Sequence, residues 1–116
     1  MRYLLIAGLF ISTPAFAAPT YLECSIDGGE GKPPVAINLV ADEANGMITQ
    51  HVVSMGSSKR VPAVFSQTAV QWVPTSGLSY SLSRTDLSIV RVLTIGAKSW
   101  TDRGSCQVQK PVNRAF

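Results

Sequence analysis

Two cysteines are the only residues in this chain whose type and spacing point to covalent chemistry. Cys24 and Cys106 stand 82 residues apart, and in an oxidising compartment such a pair most simply forms one disulfide. Loop closure over that distance corresponds to roughly 4 to 5 kcal/mol in the chain-entropy account. Nucleophilic and metal chemistry find little support. His51 is the only histidine, so a Ser–His mechanism or a four-ligand metal site would have to be built around one imidazole. The abundant serines form neither a G-x-S-x-G elbow nor an S-x-x-K pair. Asp27, Glu30, Asp42 and Glu43 fall in predicted loops, and Gly28-Gly29-Glu30-Gly31 lacks the spacing and the following helix of a phosphate loop. No catalytic residue, metal or cofactor is assigned, and the expected role is binding or structural.

The candidate binding residues are Ser76, Tyr80, Arg91 and Trp100. Arg91 shares its alternation with Leu87, Ile89, Leu93 and Ile95. If that face is interior, Arg91 is a buried cation in need of an anion, as in a barrel carrying a small anionic ligand. If Val90 and Val92 face inward instead, Arg91 is solvated. Arg84 shares parity with Asp86 across a short turn, the pattern of a rim ion pair. Among the aromatics, Trp72 is expected inside and Tyr21 outside. Trp100 is expected in an exposed loop from Gly96 to Gly104, where it would anchor a protein partner. His51 reads as a solvated strand histidine.

The elements that position these residues begin after an export signal. Met1-Arg2 is a positive start, Tyr3 to Ile11 an apolar stretch and Ala15-Phe16-Ala17 a small-x-small cleavage pattern. Residues 1–17 are thus predicted to be removed, leaving 18–116 as one small domain in the periplasm or outside the cell. The rest alternates between short apolar runs and Gly, Pro, Asn, Asp and Ser clusters, the pattern of an all-β protein. Leu22, Cys24 and Ile26 alternate with polar residues, as do Val35, Ile37, Leu39 and Ala41, and then Leu78, Tyr80 and Leu82. Asn45-Gly46 suits a hairpin turn. The faces of residues 47–54 and 87–95 stay open.

About eight short strands joined in sequence make an antiparallel meander. A disulfide between the first and last strands would bring its ends together, as in a closed or nearly closed barrel. A β-sandwich with those strands facing across the core also satisfies the pairing. A barrel removes exposed edges and is the favoured architecture.

The ten Lys and Arg exceed the seven Asp and Glu by +3, or +2 once Arg2 leaves with the signal. Only Lys59-Arg60 are adjacent, so no nucleic-acid patch is expected. A lipid-facing Phe116 would place Arg114 and Lys110 in lipid as well, at about 2 to 4 kcal/mol each near the midplane. A membrane barrel is therefore excluded, and residues from about 110 read as a loose C-terminal tail.

Two resemblances follow from short motifs. Tyr21-x-Glu23-Cys24, Phe65-Ser66 with Val70-x-Trp72, Tyr80-x-Leu82-x-Arg84-Thr85-x-Leu87 and Gly104-x-Cys106 resemble uncharacterised short secreted bacterial proteins of the marine cyanobacterial type. That resemblance implies export and a paired-cysteine β domain. Ser76-Gly77-Leu78-Ser79-Tyr80 and the Tyr21 to Cys24 opening resemble periplasmic C-type lysozyme inhibitors, whose opening motif is one residue shorter. This second resemblance implies a small eight-stranded barrel that inserts a serine-bearing loop into the catalytic cleft of lysozyme. Ser76 is the one position that matches that serine. The family's Thr-Lys-Gly signature is absent, with Thr94-Ile95-Gly96-Ala97-Lys98 the nearest segment.

Overall fold

The computed structural model describes residues 18–109; the predicted signal, residues 1–17, and the tail from about 110 lie outside them. Eight strands follow in chain order: β1 (Thr20–Ile26), β2 (Val35–Asp42), β3 (Met47–Val52), β4 (Ser57–Phe65), β5 (Ala69–Thr75), β6 (Leu78–Ser83), β7 (Ser88–Ile95) and β8 (Lys98–Val108). Each pairs antiparallel with the next, and β8 returns to β1 to close a barrel. The sandwich alternative is thereby set aside.

The alternation expected for β1, β2 and β6 is what fills the interior. Leu22, Ile26, Ile37, Leu39, Ile48, Val70, Leu82 and Ile89 are all buried in one cluster, and burial of this apolar surface is the main force closing the sheet. Their neighbours on each strand point to water, as the two-residue period requires.

Closure is written into one seam. Cys24 and Cys106 lie directly opposite on β1 and β8, are disulfide-bonded and have Cα atoms 4.0 Å apart. Two residues up the seam, Gly104 pairs with Ile26. A Cβ on Gly104 would fall onto the Ser25 carbonyl and 2.7 Å from Ile26 Cα, so only glycine permits this approach.

The two open registers resolve through their neighbours. In β3, Gln50 pairs with Leu39 and Ile48 with Val61, which puts Ile48, Gln50 and Val52 on the inner face. In β7, Ile89 is fully buried and Arg91 shares its inner face, while Val90 and Val92 are half-buried. Leu87 precedes β7 with φ of 61°, the only non-glycine residue at positive φ among those described.

One sequence expectation is corrected. Residues 96–104 are not a loop: Lys98 to Ser105 pair one by one with β7 from Ile95 to Ser88, and only Gly96-Ala97 turn the chain. Ladder hydrogen bonds use main-chain groups, so a polar, glycine-containing segment pairs as well as an apolar one. Its composition concealed the strand.

The strands define two ends. The upper end carries the β1–β2, β3–β4, β5–β6 and β7–β8 connections. The lower end carries β2–β3, β4–β5 and β6–β7, together with Ala18 and Gln109, where the description begins and stops.

Candidate functional site

The upper end is where the barrel leaves most of its exposed apolar side chains. Six of its large hydrophobics are exposed: Val53, Met55, Val73, Leu93, Ile95 and Trp100. Three of these belong to the β7–β8 hairpin. From Lys98 to Thr101, β8 pairs only with β7, because β1 ends at Ile26 opposite Gly104. The hairpin therefore stands above the rim. Leu78, Leu93 and Trp100 follow one another across β6, β7 and β8 as directly opposed residues. They form an apolar strip on the inner face that continues past the point where the barrel can cover it; Trp100 is 47% exposed.

The β5–β6 turn is tied to this hairpin. Thr94 N–H donates to the Gly77 carbonyl at 2.7 Å. Gly77 has φ of +85° and a Cβ there would lie 2.7 Å from the Thr94 carbonyl oxygen. Both conditions demand glycine, and the hydrogen bond ties the turn carrying the exposed Ser76 to the hairpin beside the strip.

Beneath the rim a polar chain crosses the interior. Trp72 Nε1 donates to Gln50 Oε1 at 2.9 Å, and Gln50 Nε2 donates to the Tyr80 hydroxyl at 3.5 Å. The Trp72 and Tyr80 rings stack with centroids 5.2 Å apart. Tyr80 is opposite Arg91 and Arg91 opposite Asp102. Arg91 Nε and Nη2 both donate to Asp102 Oδ2, at 3.2 and 2.7 Å. Burial disfavours the charged guanidinium, but the bonds to Asp102, with the adjacent Tyr80, outweigh it and leave the Arg91 pKa above its ordinary value. Each polar group in the chain is thus met by another, which is the condition for keeping such groups inside.

These positions sort the residues singled out from sequence. Ser76 and Trp100 reach the surface of the upper rim. Tyr80 does not: it is 4% exposed, with its ring in the Trp72 stack. Arg91 faces the interior, as one of the two registers required, but the anion beside it is Asp102 of the same chain. Arg84 forms a rim ion pair with Glu43 at 2.8 Å rather than with Asp86. Glu43 reaches it because β2 and β6 end at the same side of the barrel. Asp86 instead accepts from Ser88 N–H at 2.9 Å. Tyr21 is exposed and Trp72 buried, as expected, and His51 Nδ1 meets the Ser58 hydroxyl at 2.8 Å.

Sequence reasoning passed over Gln50 and Asp102, and saw Glu43 only as a loop carboxylate without its partner. Gln50 left a trace, a polar residue at interior parity between Ile48 and Val52. The pairings of Asp102 and Glu43 left none, since their partners lie 11 and 41 residues away. Among the described residues no group of three or more His, Cys, Asp and Glu is placed to hold a metal ion. No family model matches the chain, and neither the curated proteins nor the solved structures contain a significant match.

Proposed function

We propose that this chain is an exported binding module rather than an enzyme, and that it engages a protein partner through its upper rim. The observation that carries this reading is the uncovered Leu78–Leu93–Trp100 strip on a hairpin raised above the barrel. An apolar strip with an aromatic anchor, fixed on a rigid scaffold, is the arrangement that protein interfaces use. The interior favours it over the carriage of a small anion at Arg91, because Asp102 already occupies the Nε edge of that half-buried guanidinium. Export accounts for the signal-like residues 1–17 and suits the Cys24–Cys106 disulfide.

The test uses the producing cell. Fractionation returns a chain beginning at Ala18 outside the cytoplasm. A Leu93→Ser/Trp100→Ser variant keeps its melting temperature and loses the partner that co-purifies with the parent. A chain retained in the cytoplasm, or a partner retained by the rim variant, overturns the reading.

A second reading names the partner. The tethered turn at Ser76-Gly77 favours lysozyme inhibition, the role implied by resemblance to the C-type lysozyme inhibitors. Stoichiometric protein then suppresses cell-wall lysis by lysozyme, and Ser76→Arg relieves the suppression. Full lysis in the presence of the intact protein eliminates this reading and leaves the broader one standing.

A further inference from the structure

The lower end holds a cavity that the rim reading does not use. It has a volume of about 220 Å³ and opens beside Ala18 and Thr20. Its floor is Leu22, Val70 and Leu82, all buried, and its walls include Phe65 and Leu87. The polar side chains around it, Glu43, Arg84 and Thr20, belong to its mouth.

Two independent features suggest that this cavity is shaped for a ligand. The first is Leu87. It sits at φ of 61°, where a Leu side chain is sterically disfavoured and a glycine or asparagine is not. Its backbone is clamped there, its N–H donating to Ser83 O at 3.0 Å and its carbonyl accepting from Cys106 N–H at 2.8 Å. A turn residue with no other requirement would be relieved by losing its side chain. Strain of this kind is kept where the side chain has a task, and here it packs against the buried cluster and, on its other side, walls the cavity.

The second feature is the donor balance at the mouth. Arg84 spans Phe65, with its guanidinium carbon 6.0 Å from the ring centroid. Its Nη1 donates to Ser66 O at 2.6 Å and to Glu43 Oε2 at 3.2 Å, and its Nη2 to Glu43 Oε1 at 2.8 Å. Both oxygens of Glu43 are thereby engaged. Of the five N–H groups a guanidinium carries, two on Arg84 have no acceptor among the described residues. Glu43 and Ser66 take the Nη groups and leave the Nε edge of Arg84 open, whereas Asp102 takes that edge of Arg91; the mouth has donors to offer, and the body of the cavity has only hydrocarbon.

We propose that the lower mouth binds a small amphiphilic carboxylate, with its chain against Leu22, Phe65, Val70, Leu82 and Leu87 and its head on the free edge of Arg84. An apolar cavity of roughly 150 Å³ admits benzene, so this volume suits a chain of about six carbons. The site lies at the opposite end from the partner rim and does not depend on it.

The experiment titrates hexanoate, hexan-1-ol and hexylammonium into the isotope-labelled exported protein, residues 18–116, and follows amide shifts. Hexanoate saturates, with shifts centred on Leu82 to Leu87, and binds about ten-fold more tightly than hexanol, the gain expected from one charge-assisted hydrogen bond. Hexylammonium gives no saturable shift. Leu87→Gly keeps the parent's melting temperature within a few degrees and loses at least ten-fold in hexanoate affinity. Arg84→Gln lowers hexanoate binding to the level of hexanol. Absence of saturable hexanoate binding overturns the proposal, as does equal binding to the Leu87→Gly variant. Hexanol binding as tightly as hexanoate overturns the anionic head.

Discussion

At the upper end of the barrel the inward-facing positions of β6, β7 and β8 run on past their neighbours and carry Leu93 and Trp100 into water. At the lower end the inward rows of β1, β5 and β6 stop at Leu22, Val70 and Leu82, with half-buried Phe65 and Leu87 walling a small cavity and the Arg84–Glu43 pair at its mouth. The polar content is distributed in the opposite sense. Below the exposed strip lies the chain of Gln50, Trp72, Tyr80, Arg91 and Asp102, whereas the lower half of the interior is hydrocarbon. A polar chain is directional, because every donor needs its acceptor at a set angle, and it holds strand positions more narrowly than interchangeable apolar contacts do. The end proposed to meet a large partner is therefore the end fixed by hydrogen bonds, and the end proposed to admit a small chain is bounded by side chains able to yield.

The comparison can be broken most severely at the seam shared by both ends. Replacing Cys24 and Cys106 by alanine removes an 82-residue loop constraint and is expected to lower unfolding free energy by about 4 to 5 kcal/mol. Urea denaturation measures it, and a loss below about 1 kcal/mol contradicts the assigned importance of the staple. Gly104→Ala drives a methyl group into the β1 backbone and is expected to cost about 3 kcal/mol or more, the upper range for overpacking. Both changes are expected to lower partner capture at the rim and hexanoate binding in the cavity together, because both ends share this seam.

Changes within the upper half separate the ends. Asp102→Asn leaves Arg91 half-buried with a weaker partner; the pair's side chains are 19% and 27% exposed, so the fully buried penalty is reduced to about 2 kcal/mol. Amide exchange is expected to accelerate in β7 and β8 above Arg91 and to change little at the lower mouth. Uniform acceleration would show that the polar chain has no special hold on the rim. Gly77→Ala is expected to cost about 1 to 2 kcal/mol through its positive φ and to loosen Ser76 without moving Trp72.

The smallest effect belongs to the lower end. Hydrogen bonds from the Ser88 main chain, and then from the Ser88 and Ser83 hydroxyls, hold the exposed Asp86 carboxyl below its ordinary value of 3.8. A lowered folded value contributes stability above the ordinary value, and that contribution is lost as pH falls through the folded one. The stability difference between the parent and Asp86→Asn should therefore be present at neutral pH and shrink in strong acid. A difference that grows on acidification has the wrong sign.

The parts legible in the sequence were those governed by local alternation. Leu22, Cys24 and Ile26, and again Leu78, Tyr80 and Leu82, declare their faces within a single strand, and one cysteine in the first strand and one in the last suffice to suggest closure. The upper site was legible only in fragments. Ser76 and Trp100 stood out by motif and residue type, yet the strip that joins Trp100 to Leu93 and Leu78 exists only through pairing of β6, β7 and β8. The partners of Arg91 and Arg84 were hidden for the same reason: parity says which way a side chain points, and cross-strand register says what it meets. Leu87 carried no warning at all, since a leucine two residues before Ile89 reads as ordinary strand.

The most direct test of the rim as the contact surface is position-specific photo-crosslinking in the producing cell, with the probe placed in turn at Trp100, Ile95 and Val64. Val64 serves as the control because it is 68% exposed on β4, away from the hairpin. Discrete protein adducts at Trp100 and Ile95, and none at Val64, are the predicted result. Adducts at Val64 with none at the hairpin would contradict it.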